Sequence, residues 1–221
     1  MVIAIDGTAG SGKSTVAKKL AQILNYNYID SGALYRTIAL KVLQENVDIE
    51  NEDLISALFR KIDIEQHFDE GSLTVLCDGE DITKEIRSPE VSKIVSQVAA
   101  QPGVRYHVTA LMHVWGAAGQ VVIDGRDIGT YVFPNADYKF YIEASPRIRA
   151  ERRFKELVET GYGGTVEEIE AQIIKRDQLD SSREMAPLKK ANDAITIDTS
   201  AMTIDAVVQT LTENIRKQNG N

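Results

Sequence analysis

Apolar positions along the chain fall into two alternating rhythms. Val2–Ile5 is a short unbroken apolar run, the pattern of a strand buried on both faces. A glycine-rich turn follows, then "KSTVAKKLAQIL", where Val16, Ala17, Leu20, Ile23 and Leu24 recur at helical spacing. Strand, glycine turn and helix open a βαβ unit. "YNYID", Tyr26–Asp30, predicts a second strand, and "GALYRTIALKVLQEN" a helix with Leu34, Ile38 and Val42 on one face. Glu52–Phe59 predicts a short helix. The texture then changes. From Lys61 to Thr83, period-2 stretches broken by "DEGS" and "CDGED" predict a hairpin or small antiparallel sheet set into the chain. Helices are predicted over 90–100 and 103–117, parted by Pro102-Gly103. Val121–Asp124 and Lys139–Ile142 read as further buried strands. Helices follow over 146–160 and 165–180, separated by "TGYGGT". A last strand, Ala194–Asp198, and a last helix, Ile204–Gln218, close the pattern. Strands alternating with helices imply an α/β fold, a parallel sheet covered on both faces.

Composition narrows the function classes. Of the 221 residues, 43% are hydrophobic and 26% charged, the balance of an ordinary globular domain. The net charge of −8 argues against a general nucleic-acid binder. An anionic ligand therefore needs local clusters of arginine and lysine. The single cysteine, Cys77, leaves no intrachain disulfide framework. No run of 18 apolar residues is present, so no membrane span is expected. "MVIAIDG" lacks a basic n-region and a long apolar core, so it does not read as a signal peptide. A cytoplasmic protein, without nucleic-acid or membrane partners and monomeric, is the expectation.

The first chemistry lies in the glycine turn. Gly7-Thr8-Ala9-Gly10-Ser11-Gly12-Lys13-Ser14 satisfies G-x-x-x-x-G-K-[ST] in full, between a predicted strand and a predicted helix. Glycines let backbone N–H groups curl round a phosphate, and the helix start points its positive end at the anion. Lys13 is placed for the β/γ oxygens and the Ser14 hydroxyl for Mg²⁺, with Thr15 completing the ATP-binding stretch. The motif identifies a nucleoside triphosphate and little more. The N-K-x-D and D-x-x-G patterns of signalling GTPases do not occur.

The acceptor is read from arginines. A phosphate monoester is mostly dianionic at pH 7, so its kinase needs charge neutralisation more than a base. Arg149, Arg152 and Arg153 share a helix face by their i, i+3, i+4 spacing, ahead of Gly161, Gly163 and Gly164. That arrangement suits a mobile lid as well as a solvated basic face. Arg176, Asp180 and Arg183 also fall on one face, which suits a ligand site or a surface ion pair. In "VVIDGRDIGT", Val121–Thr130, Arg126 stands between Asp124 and Asp127 where a buried strand runs out. Asp124 occupies a Walker-B-like position, suited to Mg²⁺-bound water or to fixing Arg126. His67, His107 and His113 lack metal-ligand spacing, Tyr106 and Trp115 read as packing residues, and Cys77, in the hairpin with no partner or nearby basic pair, does not read as catalytic.

"IAIDGTAGSGKST", "DSGALYR", "SQVAA", "DGRDIGTYVFP", "ERR" and "RDQLDSSREMAPL" occur in that order between Val2 and about Thr199. Together they resemble bacterial cytidylate kinases, which transfer a phosphate from ATP to CMP or dCMP. The resemblance implies a P-loop three-layer sandwich, with a central parallel sheet of about five strands flanked by helices, a small antiparallel insert and a short lid. It implies a single kinase domain over 1–221: core 1–30, 101–148 and 164–221, monophosphate-binding region 31–100 with the insert at about 63–84, lid at about 149–163. Ser31 and Arg36 would lie at the monophosphate, with Arg126 and Arg183 on the same phosphate. Ser96, Arg105 and Asp127 would read the cytosine edge, and Arg176 and Asp180 would hold the sugar. Arg149, Arg152 and Arg153 would belong to the lid over the transferring phosphoryl group. Lys13, Arg126, Arg153 and Asp124 would carry catalysis, with Mg²⁺ accompanying ATP at Ser14 directly and at Asp124. Thr8 departs from the proline common in the family, and a change in loop stiffness only is expected. Residues alone leave open a P-loop kinase for UMP or a small phosphorylated metabolite, and a non-catalytic nucleotide-binding switch.

Overall fold

The computed structural model describes residues 1–158 and 163–218. Its centre is a five-stranded parallel sheet in the order β2-β6-β1-β7-β8. These strands are β1 (Val2–Gly7), β2 (Asn27–Asp30), β6 (Val121–Gly125), β7 (Tyr138–Glu143) and β8 (Ile195–Asp198). The apolar runs become strands because helices cover both faces; Ile3, Ala4, Ile5, Val122, Ile123 and Ile142 have no exposed surface. Five strands, helical layers on both sides and a separate antiparallel sheet match the architecture expected from the sequence.

The helices begin where capping chemistry dictates. α1 (Lys13–Leu24) starts after Gly12, at φ +88°, and stops at Asn25, which turns left-handed at φ +54°. α2 (Ser31–Gln44) begins one residue earlier than the pattern predicts, because the Asp30 carboxylate accepts from the Ala33 N–H at 2.9 Å. α3 spans Glu52–Phe59, α4 Pro89–Val98 and α5 Pro102–Gly116. α6 (Pro146–Val158) and α7 (Val166–Ser181) form a helical pair, and α8 (Ile204–Gln218) closes the chain. A capping box between Thr165 and Glu168 opens α7. Gly163 and Gly164 precede it without regular structure, and Gly161 lies outside the described residues.

The period-2 segment is a three-stranded antiparallel sheet: β3 (Ile64–Asp69), β4 (Ser72–Cys77) and the two-residue β5 (Glu80–Asp81). Ile64, Leu73, Val75 and Cys77 of this small sheet join the same apolar core as the main sheet. The α6–α7 pair differs. Ala150, Ile169 and Ile173 form a separate small cluster with Phe154, Leu157 and Val166 against it. No helix among the described residues is long and apolar enough to cross a membrane.

Parallel register fixes where chemistry gathers. Ile5 lies beside Asp124, and Asp30 lies beside Asp124 on the other flank. The strand ends at Gly7, Asp30 and Gly125 therefore open onto one carboxyl edge, where ligands of α/β sheets bind.

Candidate active site at the carboxyl edge of the sheet

At that edge is a cleft of about 910 Å³, its open mouth included. One wall is the glycine loop, from which Ala9, Gly10, Lys13 and Ser14 line the cleft. Gly7 does not line it but makes the loop possible: a Cβ there would sit 1.9 Å from the Ile142 carbonyl oxygen. Ser11 braces the loop through its hydroxyl on the Thr8 carbonyl at 3.0 Å. Gly12 gives the left-handed turn into α1, and Thr15 is exposed. The Thr8 carbonyl also accepts from Lys13 Nζ at 3.3 Å, while the Thr8 hydroxyl is buried with no partner among the described residues. Burial, helped by Arg126, pulls the Lys13 ammonium down to about 7.

Beneath the loop is a brace that the sequence did not reveal. Asp177 of α7 accepts from the Ala9 N–H at 3.2 Å and from Arg149 Nη1 at 2.6 Å. Arg149 also donates to the Ala9 carbonyl at 2.9 Å and to the Ala144 carbonyl at 2.9 Å. The lid reading of Arg149 is thereby corrected: it is 3% exposed and holds the phosphate loop from behind. Arg152 also turns away from the cleft, onto Thr199. Only Arg153 of the three lines the cleft. The i, i+3, i+4 spacing placed them on one helix without fixing which way each long side chain reaches.

Asp124 is buried at the end of β6. It accepts from Ser14 Oγ at 2.7 Å and from the Tyr28 hydroxyl at 2.5 Å. Burial, then the neighbouring Asp30, raise its carboxyl above the usual range. No hydrogen bond or ion pair joins it to Arg126, whose Nε donates instead to Asp180 Oδ2 at 3.0 Å. Of the two roles suggested by sequence, fixing Arg126 thus falls to Asp180. A hydroxyl and a carboxylate in contact beside a phosphate loop are the hard oxygen donors that Mg²⁺ takes alongside phosphate oxygens and water. No group of three or more His, Cys, Asp or Glu side chains among the described residues forms a metal cage.

The lining is also strongly cationic. Arg36, Arg126, Arg153, Arg176 and Arg183 line the cleft, with Arg87, a residue the sequence did not single out. Arg36 is oriented by the Ile86 carbonyl at 3.2 Å and Ser92 Oγ at 3.0 Å. Asp180 takes Arg126 on one oxygen and Arg183 on the other. Burial opposes ionisation of Asp180, but Arg126, Arg183 and Arg176 outweigh it and hold its carboxyl below the usual range. The Nε atoms of Arg176 and Arg183 are buried without a partner among the described residues. Such donors call for an acceptor, and charged donors bind an anionic one most strongly. Burial also lowers the Arg176 guanidinium to about 9 and that of Arg36 to about 10.

Tyr35, Val95, Ser96, Ala99 and Asp127 line the same cleft. Asp127 is held by Arg105, which also donates to the Ala99 carbonyl at 3.0 Å. Arg105 is fully buried beside the Tyr35 ring and does not line the cleft; it supports Asp127. Ser31 lines the cleft and anchors its hydroxyl on the Asp124 carbonyl at 2.7 Å. Asp6, next to Gly7, accepts from the Ile128 and Gly129 N–H groups at 2.8 and 2.7 Å. It ties the strand that begins the phosphate loop to the loop that carries Arg126 and Asp127.

The remaining singled-out residues do not line the cleft. His113 bonds the Val132 carbonyl and His107 stacks on Phe59. His67 meets Glu65 at the surface. Cys77 is buried, and burial pushes its thiol up to about 11. Tyr106 differs from expectation: at 67% exposure it is a surface residue on α5.

The family model described as cytidylate kinase matches residues 3–217. A protein of Clostridioides difficile named cytidylate kinase is 47% identical over 215 residues, covering 97% of this chain and 98% of that one. One of Enterococcus faecalis with the same name is 48% identical over 218 residues, covering 99% and 96%. A solved structure of an uncharacterized protein from Eubacterium ventriosum superimposes with a TM-score of 0.51 at 14% identity, covering 97% and 98%, a likeness of fold alone.

Proposed function

The chain belongs to the cytidylate kinase family, and we propose that its cleft transfers the γ-phosphoryl group of ATP to CMP or dCMP, giving ADP and CDP or dCDP. The observation that carries the reading is one cleft lined together by a phosphate loop, a rank of arginines, and an Asp127 locked by Arg105. Cytosine presents an amine where uracil presents a carbonyl. A fixed carboxylate accepts from the first and repels the second. Ser96 lines the same cleft and supplies a hydroxyl donor for the ring acceptors.

The reaction needs positioning and charge neutralisation rather than a base, because a phosphate monoester is already the nucleophile. The loop amides and Lys13 bind the β- and γ-phosphates of ATP. Arg36, Arg126 and Arg183 hold the acceptor phosphate, with Arg126 directed by Asp180. Arg176 and Asp180 serve the sugar, and Arg153 approaches from α6 onto the transferring group. Mg²⁺ held at Ser14 and Asp124 would neutralise charge on the triphosphate. The two phosphates repel until these cations offset them, which is the main electrostatic contribution to the rate.

A coupled ADP-release assay with CMP, dCMP, UMP and AMP as acceptors tests the reading. CMP or dCMP should lead UMP in kcat/KM by at least about 100-fold, the scale set by a buried polar mismatch. Equal use of UMP would sink it. ATP bound without transfer to any acceptor would instead identify a nucleotide-binding switch.

A further inference from the structure

β3 carries a polar residue where its own pattern calls for an apolar one. Ile64, Gln66 and Phe68 share one face of the strand, and Ile64 and Phe68 pack into the core. Across the hairpin Gln66 pairs with Val75, which has no exposed surface. A half-buried carboxamide in that row needs partners.

It finds them on the main sheet. β2 is an edge strand, and the backbone N–H and C=O of its last residue, Asp30, point outward. Gln66 Oε1 accepts from the Asp30 N–H at 2.9 Å, and Gln66 Nε2 donates to the Asp30 carbonyl at 2.9 Å. One side-chain amide thus replaces the pair of bonds that a neighbouring strand would make. The open edge is closed at this point, and one side chain hydrogen-bonds the small sheet to the large one. Phe68, edge-on to the Tyr28 ring at 5.3 Å, packs the same seam.

The splice sits on a working residue. Asp30 lines the cleft, caps α2 through its carboxylate, and lies 3.7 Å from Arg87. The next residue, Ser31, reaches the Asp124 carbonyl. We propose that Gln66 is a positioning residue for the acceptor site, whose amide bonds to Asp30 fix the start of α2 and the Ser31 and Arg36 side chains that meet the acceptor phosphate. Gln66 touches no substrate. It acts through Asp30, on the acceptor wall and away from the phosphate loop.

This inference rests on the reading of the cleft as a CMP kinase site, and two measurements keep the two separable. In Gln66→Met, which keeps length and removes both bonds, KM for CMP should rise about tenfold while kcat and KM for ATP stay within about twofold. Amide exchange at Asp30 should speed up in the same variant. Gln66→Glu keeps an acceptor for the Asp30 N–H and loses the donor to its carbonyl, so its exchange should stay slow and its KM should fall between wild type and Gln66→Met. It also carries the test if Gln66→Met does not fold. An unchanged KM for CMP despite fast Asp30 exchange, or an equal rise in both KM values, would overturn the proposal. A wild-type protein that turned over no CMP would overturn the functional reading instead, and unchanged Asp30 exchange in Gln66→Met would still overturn the splice.

Discussion

Arg126 and Asp180 meet across 54 residues of chain, Nε to Oδ2 at 3.0 Å, and the other oxygen of Asp180 takes Arg183. One carboxylate therefore aims two cations at the acceptor site. Asp180→Asn keeps the shape and removes the charge, leaving those guanidinium groups to repel. It should lower kcat/KM for CMP by about 100-fold, about 2.7 kcal/mol of transition-state stabilisation. Breaking a buried pair on one side should also cost about 3 kcal/mol of stability in urea unfolding. The Asp180 carboxyl lies below its unfolded value. Its contribution is therefore full above about pH 4 and fades as pH falls further, so the stability gap between wild type and variant should close in acid.

Lys13 makes ATP binding pH-dependent in a definite direction. Burial, then Arg126, depresses its ammonium to about 7 in the empty cleft. At pH 7.5 the group is mostly neutral, and a triphosphate favours the charged form. Binding should therefore draw a proton into the site. Titration calorimetry in buffers of different ionisation enthalpy measures this uptake. Lys13→Met should remove it, and protons on the nucleotide itself cancel in the difference. Equal proton uptake in both proteins would show that Lys13 is already charged.

Gly7 has no room for a side chain. A Cβ would stand 1.9 Å from the carbonyl oxygen of Ile142, which is its register partner on β7. Strand β1 and the phosphate loop cannot both keep their places. Gly7→Ala should cost several kcal/mol in unfolding, about 3 kcal/mol or more, and abolish saturable ATP binding. At Gly10 the nearest atom to a Cβ is 3.6 Å away, so Gly10→Ala should fold and lose affinity through its φ of +75° alone.

These residues also show what a linear sequence can convey. The phosphate loop is legible because close backbone approach demands glycine at set intervals, and that demand is local. The alternating apolar runs located all five strands of the main sheet for the same reason. Ser96, Arg126, Asp127, Arg176 and Arg183 became legible only through several motifs taken together, and the fold does bring them to one cleft. Asp177 bracing Ala9 and Asp6 holding Ile128 were not legible, since their partners lie 168 and 122 residues away. Nothing near either aspartate encodes such a contact. The resemblance implies ligand roles for Arg149 and Arg105, but a motif conveys nothing about depth, and both are buried supports. Gln66 did leave a trace: a polar residue at an inward position of a period-2 strand.

Asp6 sets stability against function. Each of its oxygens takes one backbone N–H from the loop that follows Asp127, at 2.8 and 2.7 Å. In Asp6→Asn one of those N–H groups would face an NH₂ donor, so the loop carrying Arg126 and Asp127 should shift. KM for CMP should rise about tenfold. Stability should move differently. Burial raises the Asp6 carboxyl to about 7, outweighing the two amide donors that favour the anion. Because the folded value exceeds the unfolded one, protonation favours the fold. That stability is full below about pH 3.9 and is lost as pH rises toward 7. The neutral amide has no such slope. The stability deficit of Asp6→Asn should therefore be largest near pH 4 and shrink by pH 7.5, while the loss of CMP affinity persists there. Thermal unfolding across that range, beside steady-state kinetics at pH 7.5, checks both halves. A deficit that grew with pH would mean the carboxylate is ionised in the folded protein and that its two hydrogen bonds outweigh its burial.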